Sequence, residues 1–159
     1  RQRLRRTVGY VMQHPERQLF ADTVAEDVAY GPSNLGLDAS EAMERAMQAM
    51  RLLHIEHLRD RSPFDLSGGQ QRLVAIAGVI ACEPKALILD EPTAGLDEEA
   101  AARVHGLIYE LKSRGVTILL ISHSQDEVDE LADRTIILGK PAKRADSKES
   151  TESTVKATC

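Results

Sequence analysis

Two stretches of this 159-residue chain combine residue types and spacing that can do chemistry. The first is Ala86-Leu87-Ile88-Leu89-Asp90-Glu91, an apolar run followed at once by two carboxylates. An uninterrupted apolar run of this length reads as a strand buried on both faces. Ligands of open α/β sheets bind outside the carboxyl ends of such strands. A first carboxylate placed there can hold Mg2+, directly or through water, in a nucleotide site. A second can orient or deprotonate an attacking water. The same pair also suits a solvated turn ahead of Pro92. The second stretch is Leu66-Ser67-Gly68-Gly69-Gln70. Two glycines let backbone N–H groups approach an anion with no Cβ in the way. A helix starting there adds its dipole in favour of phosphate, and Ser67 and Gln70 add polar contacts. A Ser-capped helix after a glycine turn accounts for Ser67 and one glycine, but not for the whole string.

The elements that must position these residues follow from periodicity and punctuation. Val8–Met12 is a short apolar run that reads as a buried strand, ended by Gln13-His14-Pro15. Thr23 and Glu26 have capping-box spacing ahead of a short helix to about Tyr30, and Gly31-Pro32-Ser33-Asn34 reads as a turn. Asp38 and Glu41 repeat the capping-box spacing before a helix over about 39–53, with Ala42, Ala46, Ala49, Met50 and Leu53 on one face. A short helix over Ile55–Arg59 is stopped by Pro63. Ser67 caps the next helix, whose inner stripe is Leu73, Ile76, Ala77 and Ile80 and which Glu83-Pro84 ends. Asp97 caps a helix carrying Val104, Leu107, Ile108 and Leu111, and Gly115 closes it. Val116–Ile121 is the clearest buried strand, Gln125–Ala132 a short acidic helix, and Arg134–Leu138 a last strand. Strands alternating with helices predict an α/β fold with a parallel sheet. Residues 31–84 hold helices and no clear strand, as a helical subdomain inserted between two strands would. Residues 139–159 are rich in Ser, Thr and Lys with Val155 their one large aliphatic, and predict a disordered tail.

Composition narrows the function classes. Hydrophobic residues make up 42% and charged residues 28%, enough for a packed core. A net charge of −5 speaks against a duplex-DNA binder and sets no expectation of a nucleic-acid partner. No apolar run approaches the roughly 18–20 residues that span a bilayer, and the arginine-rich start carries no apolar stretch of a secretory signal. Cys82 and Cys159 are too few for a disulfide scaffold or a Cys-rich zinc module. His54 and His57 stand at i, i+3, but with no carboxylate or Cys pattern nearby they read as a solvated helix face. Leu19 and Phe20 lie in a loop, either exposed as a docking surface or packed under the helix that follows. Residue 1 is Arg, and the opening has the charged style of mid-chain sequence, so the chain is expected to begin inside a larger protein.

Taken in order, the motifs resemble one family. LSGGQQR at 66–72 resembles the signature motif of ATP-binding-cassette (ABC) ATPases. ALILDEPT at 86–93 resembles their Walker B strand with its following acid, and AGLD at 94–97 their D-loop. Ile121-Ser122-His123 resembles their switch-histidine loop, and Gln13 their Q-loop glutamine. All five occur in the family's order, over about residues 7–138. VGYVMQHPERQLFADTVAEDVAYGPSNLGL at 8–37 is further similar to the ATPase subunits of energy-coupling-factor importers, of the cobalt and nickel type and the vitamin type.

The resemblance implies a P-loop NTPase-like parallel sheet with an inserted helical subdomain, in a partial ABC ATPase domain over 1–138 that lacks the amino-terminal part of the fold. It implies ATP and Mg2+ as ligands. Asp90 would coordinate Mg2+ through water, Glu91 would be the general base, and His123 would contact the γ-phosphate. Gln13 would touch Mg2+ or the lytic water. Ser67, Gly68, Gly69 and Gln70 would close over ATP held by the opposite subunit of a dimer, and Asp97 would line the dimer seam or simply cap its helix. The partners implied are a second ABC ATPase subunit, a transmembrane coupling subunit and a substrate-binding membrane subunit, which places the chain peripherally on the cytoplasmic face of the membrane. The sequence departs from the family in one respect: no G-x-x-x-x-G-K-[ST] string occurs in it. In the family that P-loop strand lies between the switch-histidine strand and the last strand, so an open sheet edge and poor solubility are expected. Two other readings stand beside the importer: a catalytically dead module that dimerises with an intact ATPase, and a non-transport ABC ATPase.

Overall fold

The computed structural model describes residues 7–138 and the backbone of residues 155–158. Strands β1 (Val8–Val11), β2 (Ala86–Asp90), β3 (Thr117–Ser122), β4 (Thr135–Leu138) and β5 (Val155–Thr158) form one sheet in the order β1-β2-β3-β5-β4. β1, β2 and β3 run parallel, with Val11 opposite Leu89 and Asp90 opposite Ile121. Parallel neighbours need long crossovers, and the helices supply them. α1 (Val24–Asn34), α2 (Ala39–Leu52) and α3 (Gly68–Ile80) lie between β1 and β2, α4 (Glu98–Ser113) between β2 and β3, and α5 (Gln125–Leu131) between β3 and β4.

One continuous apolar core joins the helices to the sheet. Leu87 and Leu89 of β2, Met50 of α2, Ile76 of α3 and Leu107 of α4 all lie in it and are almost fully buried. The predicted caps form at Thr23 and Ser67 as complete reciprocal boxes. At Asp38 half of the box is present: its side chain accepts from Glu41 N at 2.9 Å. A Thr, Ser or Asp cap of this kind contributes about 1 kcal/mol.

The structure differs from the sequence reading at three places. Gly31-Pro32-Ser33-Asn34 is the last turn of α1 and not a separate turn. Proline breaks helices partly because its Cδ crowds the preceding residue's Cβ, and Gly31 has none. Pro32 is buried, and Ser33 Oγ donates to Ala29 O at 3.0 Å, which ties this last turn down. Over Ile55–Arg59 the chain makes only a 3-10 turn, Glu56–Leu58, and Pro63 opens a second one, Pro63–Asp65. Residues 139–159 were expected to be a disordered tail, yet Val155–Thr158 is a strand; 139–154 and Cys159 lie outside the described residues. β5 pairs antiparallel with both β3 and β4, so the edge of β3 expected to lie open is filled. An unpaired row of backbone donors and acceptors recruits any extended segment within reach. Ile136, Ile137 and Leu138 of β4 remain exposed.

Candidate active site

The register of β1, β2 and β3 brings their carboxyl ends to one rim of the sheet. Gln13, Asp90, Glu91 and His123 all follow there within two residues of a strand end. Gln13 is exposed. Asp90 accepts a hydrogen bond from the Tyr10 hydroxyl at 3.2 Å. Partial burial, and then the Asp90 carboxylate, hold the Tyr10 phenol above its ordinary range.

Glu91 is the most constrained of the four. Its backbone has φ of 50°, in the left-handed region, and its N–H donates to Ile121 O at 2.9 Å across the end of the ladder. Left-handed backbone at a non-glycine residue costs about 1–3 kcal/mol and persists where the surroundings over-determine it. The turn aims the Glu91 side chain inward: it is 15% exposed, and Oε1 is buried with no hydrogen-bond partner among the described residues. His123 Nε2 stands 3.6 Å from that oxygen, on a ring that is 61% exposed. Ser122 fixes this end of β3: it is buried, and its Oγ accepts from Ser124 N at 3.0 Å.

The glycine string starts α3. Ser67 Oγ accepts from Gln70 N at 3.3 Å, and Gln70 Oε1 accepts from Ser67 N at 3.1 Å. Both polar side chains expected to reach a phosphate are therefore engaged in the helix cap. Gly68 and Gly69 are different. Neither has positive φ; a Cβ on Gly68 would meet nothing within 4 Å, and one on Gly69 would meet only Leu96 Cδ2 at 3.5 Å. The fold itself places no demand for glycine at either position. An open cradle at a helix N-terminus is what a phosphate-bearing ligand uses, so the residues present fit ATP. Asp90 and Gln13 offer the one or two protein oxygens that Mg2+ takes when phosphates and water supply the rest. Asp97 is exposed and caps α4, its Oδ1 accepting from Ala100 N at 2.8 Å.

Two further pairs named from the sequence have definite places. Leu19 is buried while Phe20 is exposed, its ring edge-on to Tyr30 with centroids 4.6 Å apart. His54 and His57 are both exposed, and no metal-ligating cluster occurs among the described residues.

Several residues around the site escaped the sequence reading. Thr93 Oγ1 donates to the buried Glu127 at 2.8 Å, and His105 Nε2 stands 3.4 Å from the same oxygen. Arg72, buried in α3, donates from Nε to Glu16 Oε2 at 3.3 Å and from Nη1 to the Ala94 carbonyl. For Arg72 a signal existed: it stands four residues before Ile76, on the inner stripe of the helix, where a cation needs a partner. For Thr93, His105 and Glu127 no spacing pattern linked the three.

Comparison with known proteins shows the family. The ABC transporter family profile matches residues 1–94. An ABC transporter ATP-binding protein of Bifidobacterium longum is 65% identical over 133 residues, which are 84% of this chain and 17% of that protein. The energy-coupling factor transporter ATP-binding protein EcfA2 of Streptococcus thermophilus is 48% identical over 138 residues, 86% of this chain and 49% of that protein. Apart from the longer Bifidobacterium protein, the chain spans about half the length of the curated relatives it matches. Among solved structures, cbiO1 from Clostridium perfringens, part of the ABC transporter complex cbiONQ, superposes with a TM-score of 0.74 at 41% identity, over 85% of this chain and 54% of that one. The dimeric ABC transporter cassette MJ0796 gives 0.75 at 26% identity, over 86% and 60%. With more than half of its residues inside the family profile, the chain belongs to the ABC transporter family.

Proposed function

We propose that this chain carries the hydrolytic rim of an ATPase subunit of an energy-coupling-factor importer, which powers uptake of a vitamin or a transition-metal ion. The observation that carries the reading is Glu91: a strained, inward-turned carboxylate at a strand end, with an oxygen that has no hydrogen-bond partner among the described residues and a histidine ring 3.6 Å away. A buried acceptor without a donor is costly unless something else supplies one, and an attacking water does. In this reading Glu91 Oε1 orients that water and takes its proton. His123 Nε2 faces the γ-phosphate as charge develops there. Asp90, backed by the Tyr10 hydroxyl, and Gln13 hold Mg2+, which when bound neutralises phosphate charge. The Gly68-Gly69 turn closes over ATP held by a second ATPase subunit, with Asp97 near the seam. The exposed Phe20–Tyr30 pair then faces a transmembrane coupling subunit at the cytoplasmic face of the membrane, beside a separate substrate-binding membrane subunit.

The test is ATP hydrolysis by the membrane assembly that contains this chain. Glu91→Gln is expected to lower the rate at least about a hundredfold, the scale of general-base catalysis. An unchanged rate would remove Glu91 from the chemistry. The 159 residues hold no G-x-x-x-x-G-K-[ST] string, so titrating them alone with MgATP in a calorimeter is expected to give no saturable heat. Clear micromolar binding would contradict the reading that nucleotide binding here needs a P-loop that these residues lack.

A further inference from the structure

Arg72 is the one arginine buried among the described residues, at 6% exposure. It sits on the second turn of α3, with apolar Leu73, Val74 and Ile76 buried around it in sequence. Taking a guanidinium out of water costs several kcal/mol unless its donors are matched. Here they are matched by two groups that belong to different parts of the site. One is Glu16, 56 residues away in the 3-10 turn Pro15–Gln18 that follows β1. The other is the carbonyl of Ala94, in the loop that runs from Glu91 to Asp97.

In that loop Pro92 is buried and Leu96 packs against the core, but between them Ala94 and Gly95 are exposed. The loop bends through left-handed backbone at Glu91 and Gly95, and its internal bonds are Ala94 N to Glu91 O at 3.3 Å and Leu96 N to Thr93 O at 3.0 Å. Outside hydrogen bonds come from Glu91 N to Ile121 O at its start, from Thr93 to Glu127 and from Arg72 to Ala94. Two residues beyond Ala94, Leu96 lies 3.5 Å from where a Gly69 Cβ would stand. The hold on Ala94 therefore sets how closely the loop approaches the Gly68-Gly69 turn.

We propose that Arg72 is a positioning residue: through the two arms of one guanidinium it ties the segment after β1, at Glu16, to the loop between Glu91 and Asp97. Glu16 is more than a counter-charge, because it fixes the fork from one side so that the other side meets the Ala94 carbonyl. His14 Nδ1, 3.2 Å from Glu16 Oε1, steadies the carboxylate in turn. A change in the Pro15–Gln18 segment is thereby felt at Ala94 without any contact between the two. Lysine cannot replace the fork: it offers a single compact ammonium in place of two donors in fixed geometry.

The test begins with amide hydrogen exchange on the 159-residue chain, as wild type, Arg72→Lys and Glu16→Gln. Both variants are expected to speed exchange of residues 93–97 about tenfold, the loss of one hydrogen bond to a charged group, with α1 and α2 unchanged. Glu16→Gln is the decisive variant, since among the described residues no hydrogen bond joins Glu16 to that loop, and the amide takes away the counter-charge while leaving the cation its carbonyl partner. Exchange that rises uniformly along the chain, or stays unchanged at 93–97, overturns the proposal. The second arm rests on the ATPase reading above. In the assembled ATPase, Arg72→Lys is expected to lower kcat about tenfold with KM for ATP within about twofold; an unchanged kcat overturns the positioning role. If the wild-type assembly hydrolyses no ATP, the ATPase reading fails, and the exchange arm still decides the linkage.

Discussion

Glu91 should be a residue whose removal makes the fold more stable. Its backbone is left-handed at φ of 50°, and Oε1 is buried without a hydrogen-bond partner among the described residues. The first costs about 1–3 kcal/mol and the second about 1–3 kcal/mol. Glu91→Gly releases both. Against this stand the two methylenes of a side chain that is 15% exposed, worth up to about 0.8 kcal/mol each, and the extra unfolded-state freedom of glycine, about 0.5–1 kcal/mol. The balance is a gain of about 1–2 kcal/mol, and at about 2–4 °C per kcal/mol for a chain of this size Tm rises by about 2–8 °C. Glu91→Gln keeps the strained backbone and relieves only the buried charge, so its gain is smaller, under about 1 kcal/mol. Calorimetric melts of the 159-residue chain at pH 7 should rank Glu91→Gly above Glu91→Gln, and both at or above wild type. A Glu91→Gly variant melting below wild type would refute the reasoning, because neither the backbone nor the orphaned oxygen would then be a cost. The same two variants should abolish hydrolysis in the assembly, the usual exchange of stability for function at a strained site.

Three further expectations concern the supports of the site. Burial acts to raise the Glu16 carboxyl, but its backbone hydrogen bond, Arg72 and His14 outweigh it and hold the group below its ordinary value of 4.5. A lowered acid contributes stability that is full above its unfolded pKa and lost as pH falls through the folded one, so urea melts should show wild type losing its advantage over Glu16→Gln below about pH 4.5; parallel curves down to acid pH would count against the pair. Gly9→Ala in β1 would set a Cβ 2.8 Å from Val79 Cγ1, 3.0 Å from Pro84 Cγ and 3.1 Å from Leu87 Cδ1, an overpacking worth about 1–3 kcal/mol of destabilisation by denaturant melts, and an unchanged midpoint would contradict the close approach of α3 to β1. Burial raises the Cys82 thiol, with Arg45 opposing more weakly, so at pH 8 alkylation of Cys82 followed by peptide mass spectrometry should be slower in the folded chain than in urea; equal rates would mean that the thiol is not enclosed.

The strand half of the site was legible because it depends on local pattern. An apolar run that stops at Asp90-Glu91, and another that stops at Ser122-His123, locate two strand ends wherever the strands end up, and a parallel sheet brings those ends to one rim. The caps at Thr23 and Ser67 were legible for the same reason, since a cap is a contact over three residues. What failed was non-local or depended on an exception. Pro32 reads as a helix stop until Gly31 ahead of it removes the clash. The strand at Val155–Thr158 sits in a polar, Lys- and Thr-rich stretch, and what pairs it is the row of unsatisfied groups on β3 and β4, which no local pattern records. Arg72, Glu16 and Ala94 lie in three separate elements, and only the folded chain brings them together.

The two halves of the site are consequently held by different forces. Gln13, Asp90, Glu91 and His123 hang from a ladder in which each strand is paired to its neighbour over four or five residues, so their relative heights are fixed by many backbone bonds at once. The Gly68-Gly69 turn meets the rim through Leu96 beside Gly69 and through the Arg72 fork. A ladder shifts only by whole register steps, whereas a side-chain tie gives way to the loss of one donor. Variants at Arg72 and Leu96 should therefore alter the approach of the turn to the rim, while variants within β1, β2 and β3 alter the stability of the whole.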